Sequence, residues 1–573
     1  MKRVLGYLKQ YRLRMTIGLI IKIIGTVMDL AIPLILSYII DEIVPLNDVS
    51  KIILVGTLMI VCSLIGLIGS VKANQMASKV AQLVTTDLRH DLFEKIESLS
   101  SKQVDEVTIP SLVSRMSSDS YNVHQMIGMA QRIGVRAPIL LIGGIAVTLV
   151  LDPILTLVLL AVLPLVVFVI YYISKKGIPL FTKVQLEIDD FVRVIRENIT
   201  GIRVIKALSK EEYERDRFEK INKELIDYEL QSQKTMIKLN PLINIFLNIG
   251  MVAVIVVGAY RVNNGNILPG KVLSFTTYFT IILNAMLSIT RIFIVFSKAF
   301  ASAERISYIM DLKPDLEVNK EEAILDNDEY IVFDNVSFSY NKKEEENISN
   351  LSFSLKKGDR LGIIGPTGSG KTTIVNLLMR FYDVDKGNIY IDGKNVKSYE
   401  GEALHSKFGT VFQNDTIFST DIKDNINLSR GLTLEEITDS SKVSQSYDFI
   451  KETENGFDTK MSERGTNLSG GQRQRLLITR ALAKKPDILI LDDATSALDY
   501  KTESILRKEF NEKYLKTTTI IITQRVSSIK DCDKIIMIDD GKVLGIGTHK
   551  ELLSTVNEYK EIYQLQMGGG LDE

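Results

Sequence analysis

Six apolar stretches in the first three hundred residues, 16–40, 52–71, 127–150, 153–174, 242–260 and 272–296, limit what this chain can fold into more than any other feature. Each is close to the ~20 residues a helix needs to cross about 30 Å of hydrocarbon. The stretch from 127 carries Arg132 and Arg136 in its first turns, so its apolar centre is the shorter 137–150. Burial inside a large soluble core is the competing explanation. It fits poorly with 241–299, whose only charges are Arg261, Lys271, Arg291 and Lys298. In hydrocarbon a helix satisfies its own backbone hydrogen bonds, so six spanning helices are expected. Lys2, Arg3, Lys9, Arg12 and Arg14 precede the first span and no small-residue cleavage site follows, which predicts a retained cytoplasmic N-terminus. An even number of spans returns the C-terminus to the same side, so a multi-pass protein of the bacterial cell membrane is expected. The connections after spans 1, 3 and 5 are short and expected outside. Those after spans 2 and 4 are long, charged and helical in pattern, with a continuation such as 184–230 reaching well beyond the bilayer.

Ionisable groups inside spans are costly, and each calls for a functional or a structural reason. Asp29 is the clearest: Lys22, the charged neighbour on its own helix, is about 10.5 Å of rise away, so the carboxylate has to meet water or another helix. Arg132 and Arg136 share one face of span 3, and Asn284 and Arg291 lie two turns apart on span 6. A polar-lined cavity between helices, with Asp29, Arg132, Arg136, Asn284 and Arg291 as candidate ligand-facing residues, is one explanation. Interhelical hydrogen bonds and snorkelling Arg side chains explain the same residues equally well.

The chain has 573 residues and a net charge of −1, so no global basic field is available to hold nucleic acid. Two cysteines, Cys62 and Cys532, form no disulfide framework, and His90, His124, His405 and His549 have no metal-ligand spacing. After residue 300 the pattern changes to an acidic linker and then to short β-like runs alternating with helical periods, the signature of an α/β domain. The expected organisation is an all-α membrane domain of six transmembrane helices with long cytoplasmic extensions (1–300), a linker (301–330) and an α/β P-loop ATPase domain (331–573).

A short buried strand at 360–364 leads into Gly365, Pro366, Thr367, Gly368, Ser369, Gly370, Lys371 and Thr372, a G-x-x-x-x-G-K-[ST] loop opening a helix that continues through Thr373. Its glycines let backbone N–H groups close around phosphates, Lys371 reaches the β- and γ-phosphates, and Thr372 can ligate Mg²⁺. The apolar run 488–491 ends in Asp492, placed to hold the Mg²⁺ shell. ATP or GTP binding follows. At Ser469, Gly470, Gly471 and Gln472 a second helix opens with two glycines, a second anion-binding end in one domain.

These motifs together resemble the ATP-binding cassette (ABC) family, and the layout along essentially the whole chain resembles a type IV exporter half-transporter. The resemblance implies that Ser469–Gln472 cap the nucleotide held by the other cassette of a head-to-tail pair. It also implies that Tyr340 stacks on adenine, that Gln413 touches Mg²⁺ and the attacking water, and that 496–499 is the turn by which two cassettes sense one another. Residues 462–465 resemble the loop that meets the cytoplasmic loops, with Ser462 where glycine is usual. Residues 111–115 and 205–213 resemble segments flanking the coupling helices, with Pro110 where glycine is usual; a plain amphipathic helix is the alternative.

Two positions depart from the family. Asp493 stands where a glutamate polarises the attacking water, one methylene short, a displacement of about 1.5 Å where hydrogen-bond reach is decisive. Gln524 stands where the switch histidine is expected, and an amide cannot become an imidazolium. The pair resembles the degenerate subunit of a heterodimeric multidrug-type exporter. This implies impaired hydrolysis at this chain's own site, ATP and Mg²⁺ as ligands, and a second half-transporter that carries the catalytic glutamate and histidine. The expected function is ATP-driven export of small amphipathic or hydrophobic molecules. The alternatives are a regulatory or channel-like half that binds ATP without powering transport, and a peptide or lipid exporter; a peptidase-bearing maturation exporter would ordinarily have more than the ~15 residues that precede span 1.

Overall fold

The computed structural model describes residues 1–319, 328–341 and 346–566; part of the acidic linker, 320–327, lies outside them. The chain divides into two compact units, one of Met1–Glu97 with Ile109–Leu312, the other of Ser98–Thr108 with Lys313–Glu573.

In the first unit, six helices are long and apolar enough to cross a membrane. The first two pack through small residues. A Cβ on Gly25 would come within 3.3 Å of the Gly66 carbonyl, a tight contact, and one on Gly69 within 3.4 Å of the Ile21 carbonyl, so the glycines let these backbones lie close together. Lys22, buried in this seam, donates to Asn74 at 3.2 Å and Ser70 at 3.4 Å. Between spans 3 and 4 the chain turns at Asp152, whose side chain caps Leu155 N at 2.9 Å and pairs with Arg261 at the end of span 5 at 2.8 Å. Pro153 then occupies the first helical position, where no N–H is needed. At the end of span 1, Asp41 accepts from Gly270 N at 2.6 Å and so caps the start of span 6.

The helical continuation expected over 184–230 is helical, but in two arms with a break between them. The span 4 helix, Pro153–Thr200, stops at Gly201; a short helix Ile202–Ala207 follows, Ser209 adopts φ +52°, and Glu211–Met236 runs back. The two long arms are stitched by Arg217–Glu197 at 2.6 Å, Asn198–Glu214 at 2.9 Å and a Phe191–Phe218 ring contact at 5.3 Å. The last span helix continues past residue 300 to Asp311, because Ala299, Ala303, Ile306 and Ile309 keep one buried face. Within it, Arg305 Nε donates to Asp119 Oδ2 at 2.9 Å and Ser302 Oγ to Asp119 Oδ1 at 2.8 Å, with the Asp119 side chain 2 % exposed.

Among the described residues, the second unit carries two sheets. Strands β1 (Ile331–Phe338), β2 (Ile348–Leu355), β4 (Lys386–Ile391) and β5 (Lys394–Asn395) make an antiparallel sheet in the order β2-β1-β4-β5. The other sheet is ordered β10-β9-β3-β8-β7-β6. Here β3 (Arg360–Ile364), β6 (Phe408–Val411), β7 (Ile488–Asp492), β8 (Thr518–Ile522) and β9 (Lys534–Asp539) run parallel, and β10 (Lys542–Gly547) is antiparallel to β9. The central strand β7 reads as an unbroken apolar run up to Asp492 because both its faces are covered, and it is buried at every residue.

Arg305 is nearly half exposed whereas its partner carboxylate is not, which makes the pair asymmetric to mutation. Arg305→Ala strands a buried charge and should cost about 3 kcal/mol, whereas Asp119→Ala lets the guanidinium swing toward water and should cost less. The order of the two thermal midpoints in detergent checks this.

Candidate functional site

The carboxyl ends of β3, β8 and β7, adjacent in the parallel sheet, gather the candidate site, as is general for ligand sites on open parallel sheets. From β3 comes the loop 365–370, with φ of +86° at Gly368 and +101° at Gly370, conformations that favour glycine. A Cβ on Gly370 would also meet the Asn347 carbonyl at 2.8 Å. The helix Lys371–Leu378 follows, with its N-terminal N–H groups turned to the loop. Lys371 Nζ donates to the Gly365 carbonyl at 2.9 Å, to the Pro366 carbonyl and to Ser369 Oγ at 3.4 Å, folded across the cradle it would share with a phosphate. Burial holds its pKa below the ordinary lysine value.

From β7, Asp492 accepts from Thr372 Oγ1 at 2.8 Å. Burial pushes the Asp492 carboxyl above the usual aspartate range; the Thr372 hydrogen bond acts against this and the charge of Asp493 adds to it. A hydroxyl and a carboxylate in contact are hard oxygen donors that fit Mg²⁺, which keeps most of its own waters. When bound, the ion would neutralise phosphate charge. Asp493 follows with φ +51°, its N–H donating to the Ile522 carbonyl at 2.9 Å, so it is tied to the end of β8. Beyond β8, Gln524 Nε2 donates to Thr367 Oγ1 at 3.2 Å. Tyr340, Thr367, Gly368, Gly370, Lys371, Thr372, Thr373, Gln413, Asp492, Asp493 and Gln524 line one cleft of about 270 Å³ together with Asn347, at which no motif had pointed. Gly365, Pro366 and Ser369 act behind it, as partners of Lys371.

Ser469, Gly470, Gly471 and Gln472 do not line this cleft. They open the helix Gly470–Leu482, where Ser469 and Gln472 form a reciprocal capping box, Ser469 N to Gln472 Oε1 at 2.9 Å and Gln472 N to Ser469 Oγ at 3.3 Å. On the same helix Gln474, a residue missed from sequence, accepts from Ala497 N at 2.9 Å and donates to Ser496 Oγ at 3.1 Å. The helix Gly470–Leu482 and the 496–499 turn are thereby fastened together.

Of the intramembrane candidates, Asp29 and Arg136 come together at 3.0 Å. The helix that Asp29 had to meet is thus span 3, with Asp29 Oδ1 also lying over Gly66 of span 2. Arg132 folds onto its own helix, Nε to the Gly128 carbonyl at 3.1 Å, and Asn284 and Arg291 are exposed on span 6.

The family "ABC transporter transmembrane region" matches residues 15–286 and the family "ABC transporter" residues 348–496. The chain is 34 % identical to an uncharacterised ABC transporter ATP-binding protein, YfiB, of Bacillus subtilis (strain 168), over 99 % of both chains. It belongs to the ABC transporter family. An ATP-dependent lipid A-core flippase of Syntrophus aciditrophicus (strain SB) is 31 % identical, covering 86 % of this chain and 82 % of the flippase. Among solved structures, a bacterial Atm1-family ABC exporter with ATP bound superposes with a TM-score of 0.82 at 24 % identity, over 98 % of this chain and 99 % of that one. The ABC transporter fold therefore extends over both units, an all-α domain with six apolar helices followed by an α/β nucleotide-binding domain.

The raised pKa of Asp492 has a measurable sign. Mg²⁺ needs the ionised carboxylate, so the Mg²⁺-dependent part of nucleotide affinity should fall as pH drops through a pKa above the ordinary aspartate value of about 3.9. Fluorescent nucleotide titrations with and without Mg²⁺ across mildly acidic pH check this; an increment constant down to the ordinary aspartate range would contradict it.

Proposed function

We propose that this ABC transporter exports small amphipathic or hydrophobic molecules across the plasma membrane, with both termini cytoplasmic, as one half of a heterodimer whose partner holds the stronger hydrolytic site. The observation that carries the reading is the make-up of the cleft. The phosphate loop, Lys371, Thr372 and Asp492 are complete, whereas the two groups that would act on the attacking water and γ-phosphate are the short carboxylate Asp493 and the amide Gln524.

In this reading Tyr340 stacks on adenine. Lys371 leaves the loop carbonyls for the β- and γ-phosphates, and Thr372 and Asp492 hold Mg²⁺ with Gln413 beside them. Asp493 is the weak base, and Gln524 donates an amide hydrogen bond that orients without supplying positive charge. Ser469, Gly470, Gly471 and Gln472 serve the partner's nucleotide across the dimer, which accords with their absence from this chain's cleft. ATP closes the cassettes and so stabilises one of two membrane-domain states, and hydrolysis at the partner's site resets the cycle. Asp29, Arg132, Arg136, Asn284 and Arg291 are the proposed cargo-facing set. A lipid cargo is the second reading, favoured by the relatives named as lipid A-core flippases.

Affinity purification from the native membrane should bring down a second, different half-transporter; a homodimer would sink the asymmetric reading. In the purified pair, Ser469→Arg should collapse ATP hydrolysis by about a hundredfold, on the scale of a lost oxyanion-type donor. Lys371→Ala should leave partial turnover. Equal losses from the two would assign both sites the same work.

Asp29→Asn leaves Arg136 without its carboxylate inside the membrane. It should reorder the preference among charged cargo analogues while basal hydrolysis stays near the parent value. Loss of folded protein, with no change of ranking in what survives, would make the pair structural.

A further inference from the structure

Beyond β8 the chain leaves the sheet, and the way it is held there decides where Gln524 can reach. Thr523 N still donates to the Ile363 carbonyl at 3.1 Å, and the next helix, Val526–Ile529, begins three residues later. Between the two, Gln524 is exposed and lines the nucleotide cleft. It also lines a second cavity of about 520 Å³, together with Asp493, Ser496, Tyr500, Arg525 and Ser527. With open space beside it in both places, packing does little to fix this stretch, so its hydrogen bonds must.

One side chain supplies them. Gln566 Nε2 donates to the Gln524 carbonyl at 2.6 Å, and Gln566 Oε1 accepts from Val526 N at 2.8 Å. Among the described residues, the main chain of 524–526 is hydrogen-bonded beyond 523–530 only through this amide. A carboxamide carries a donor and an acceptor side by side, as a peptide group does, so one side chain stands in for a neighbouring strand. Gln566 is itself fixed, because it ends the helix Asn557–Gln566, whose Tyr559 is fully buried in a core shared with Val526 and with Ile364 at the end of β3. The Tyr559 hydroxyl also lies 2.8 Å from His549 Nδ1. The two Gln566 bonds bracket Arg525, whose guanidinium donates to the Ser496 carbonyl at 3.1 Å. They also hold the main chain from which the Gln524 amide reaches Thr367 at 3.2 Å.

We propose that Gln566 is a positioning residue of the nucleotide cleft: it fixes the main chain on both sides of Arg525, so that the Gln524 amide is held over the phosphate loop at Thr367. The inference rests on the nucleotide reading of the cleft given above, in which Gln524 serves the γ-phosphate. It makes the helix Asn557–Gln566 part of the construction of the cleft, although no residue of that helix lines it. Because a diphosphate has nothing for Gln524 to hold, Gln566 bears on the retention of a nucleoside triphosphate and not on that of ADP.

Hydrogen exchange on the full-length protein in lipid nanodiscs, with any half-transporter that co-purifies, reads this chain's own peptides. In the parent protein ADP with Mg²⁺ should slow amide exchange in 365–373. Adenylyl imidodiphosphate, an ATP analogue that resists hydrolysis, should slow it by about threefold more, since ordering lowers local opening. Gln566→Ala removes both bonds; it should speed exchange of the Val526 amide by about tenfold and erase the extra threefold, leaving the ADP effect unchanged. Gln566→Glu keeps the acceptor for Val526 N and loses the donor to the Gln524 carbonyl. Here the Val526 amide should stay slow while the extra protection is again lost. General loosening of the domain would weaken the ADP effect as well, and that result overturns the proposal. So does extra protection at the parent level in either variant, its absence from the parent, or a Val526 amide that exchanges at the parent rate in Gln566→Ala. If ADP fails to protect 365–373 in the parent protein, the nucleotide reading itself falls and takes this one with it, an outcome distinguishable because it appears before any substitution is made.

Discussion

The nucleotide cleft depends on the register of three neighbouring parallel strands. Ile363 lies beside Ile522, and Ile522 beside Asp492, so β3, β8 and β7 finish level with one another. Because they finish level, the loop after β3, the carboxylates ending β7 and the amide after β8 fall within hydrogen-bond reach. The Thr372–Asp492 bond closes the group across the end of the intervening strand. A slip of one residue in β8 would turn its side chains to the other face and carry Gln524 away from Thr367. The apolar strands hold the register and the polar ends use it.

Chemistry that depends on local order was legible in the sequence. The places of the phosphate loop, of Asp492 and its neighbour Asp493, and of the opening of the helix Gly470–Leu482 each follow from a motif or from the end of a short apolar run. Span positions were legible for the same reason, since twenty apolar residues in succession have few other uses. What was not legible is pairwise. Nothing in the pattern around Asp29 names Arg136, more than a hundred residues on, and nothing around Gln474 names the 496–499 turn. The hairpin hidden in 184–230 escaped because both arms keep a helical pattern, and the break consists of Gly201 and one left-handed serine.

Charge in the membrane-spanning unit is handled by three different means. Lys22 is buried on neutral oxygens, Asp29 meets Arg136, and Asp152 caps one helix while pairing with Arg261 from another. The first two sit within the apolar length of a span, where an unpaired charge is costly. Asp152 sits in the turn between two spans, where one carboxylate serves both as a helix cap and as an ion-pair partner. The glycine seam between spans 1 and 2 brings Asp29 against Gly66, so the place of the carboxylate is set by backbone approach as much as by its partner.

The left-handed backbone at Asp493 has a bearing on how this position can vary. Aspartate and asparagine accept that conformation more readily than longer side chains, because a short polar group can hydrogen-bond its own neighbourhood. The Asp493 N–H is also committed to the end of β8. A longer acid placed here would have to adopt the same left-handed conformation or shift the junction of β7 and β8. Substitution at this position therefore probes the main chain as well as the reach of the carboxylate.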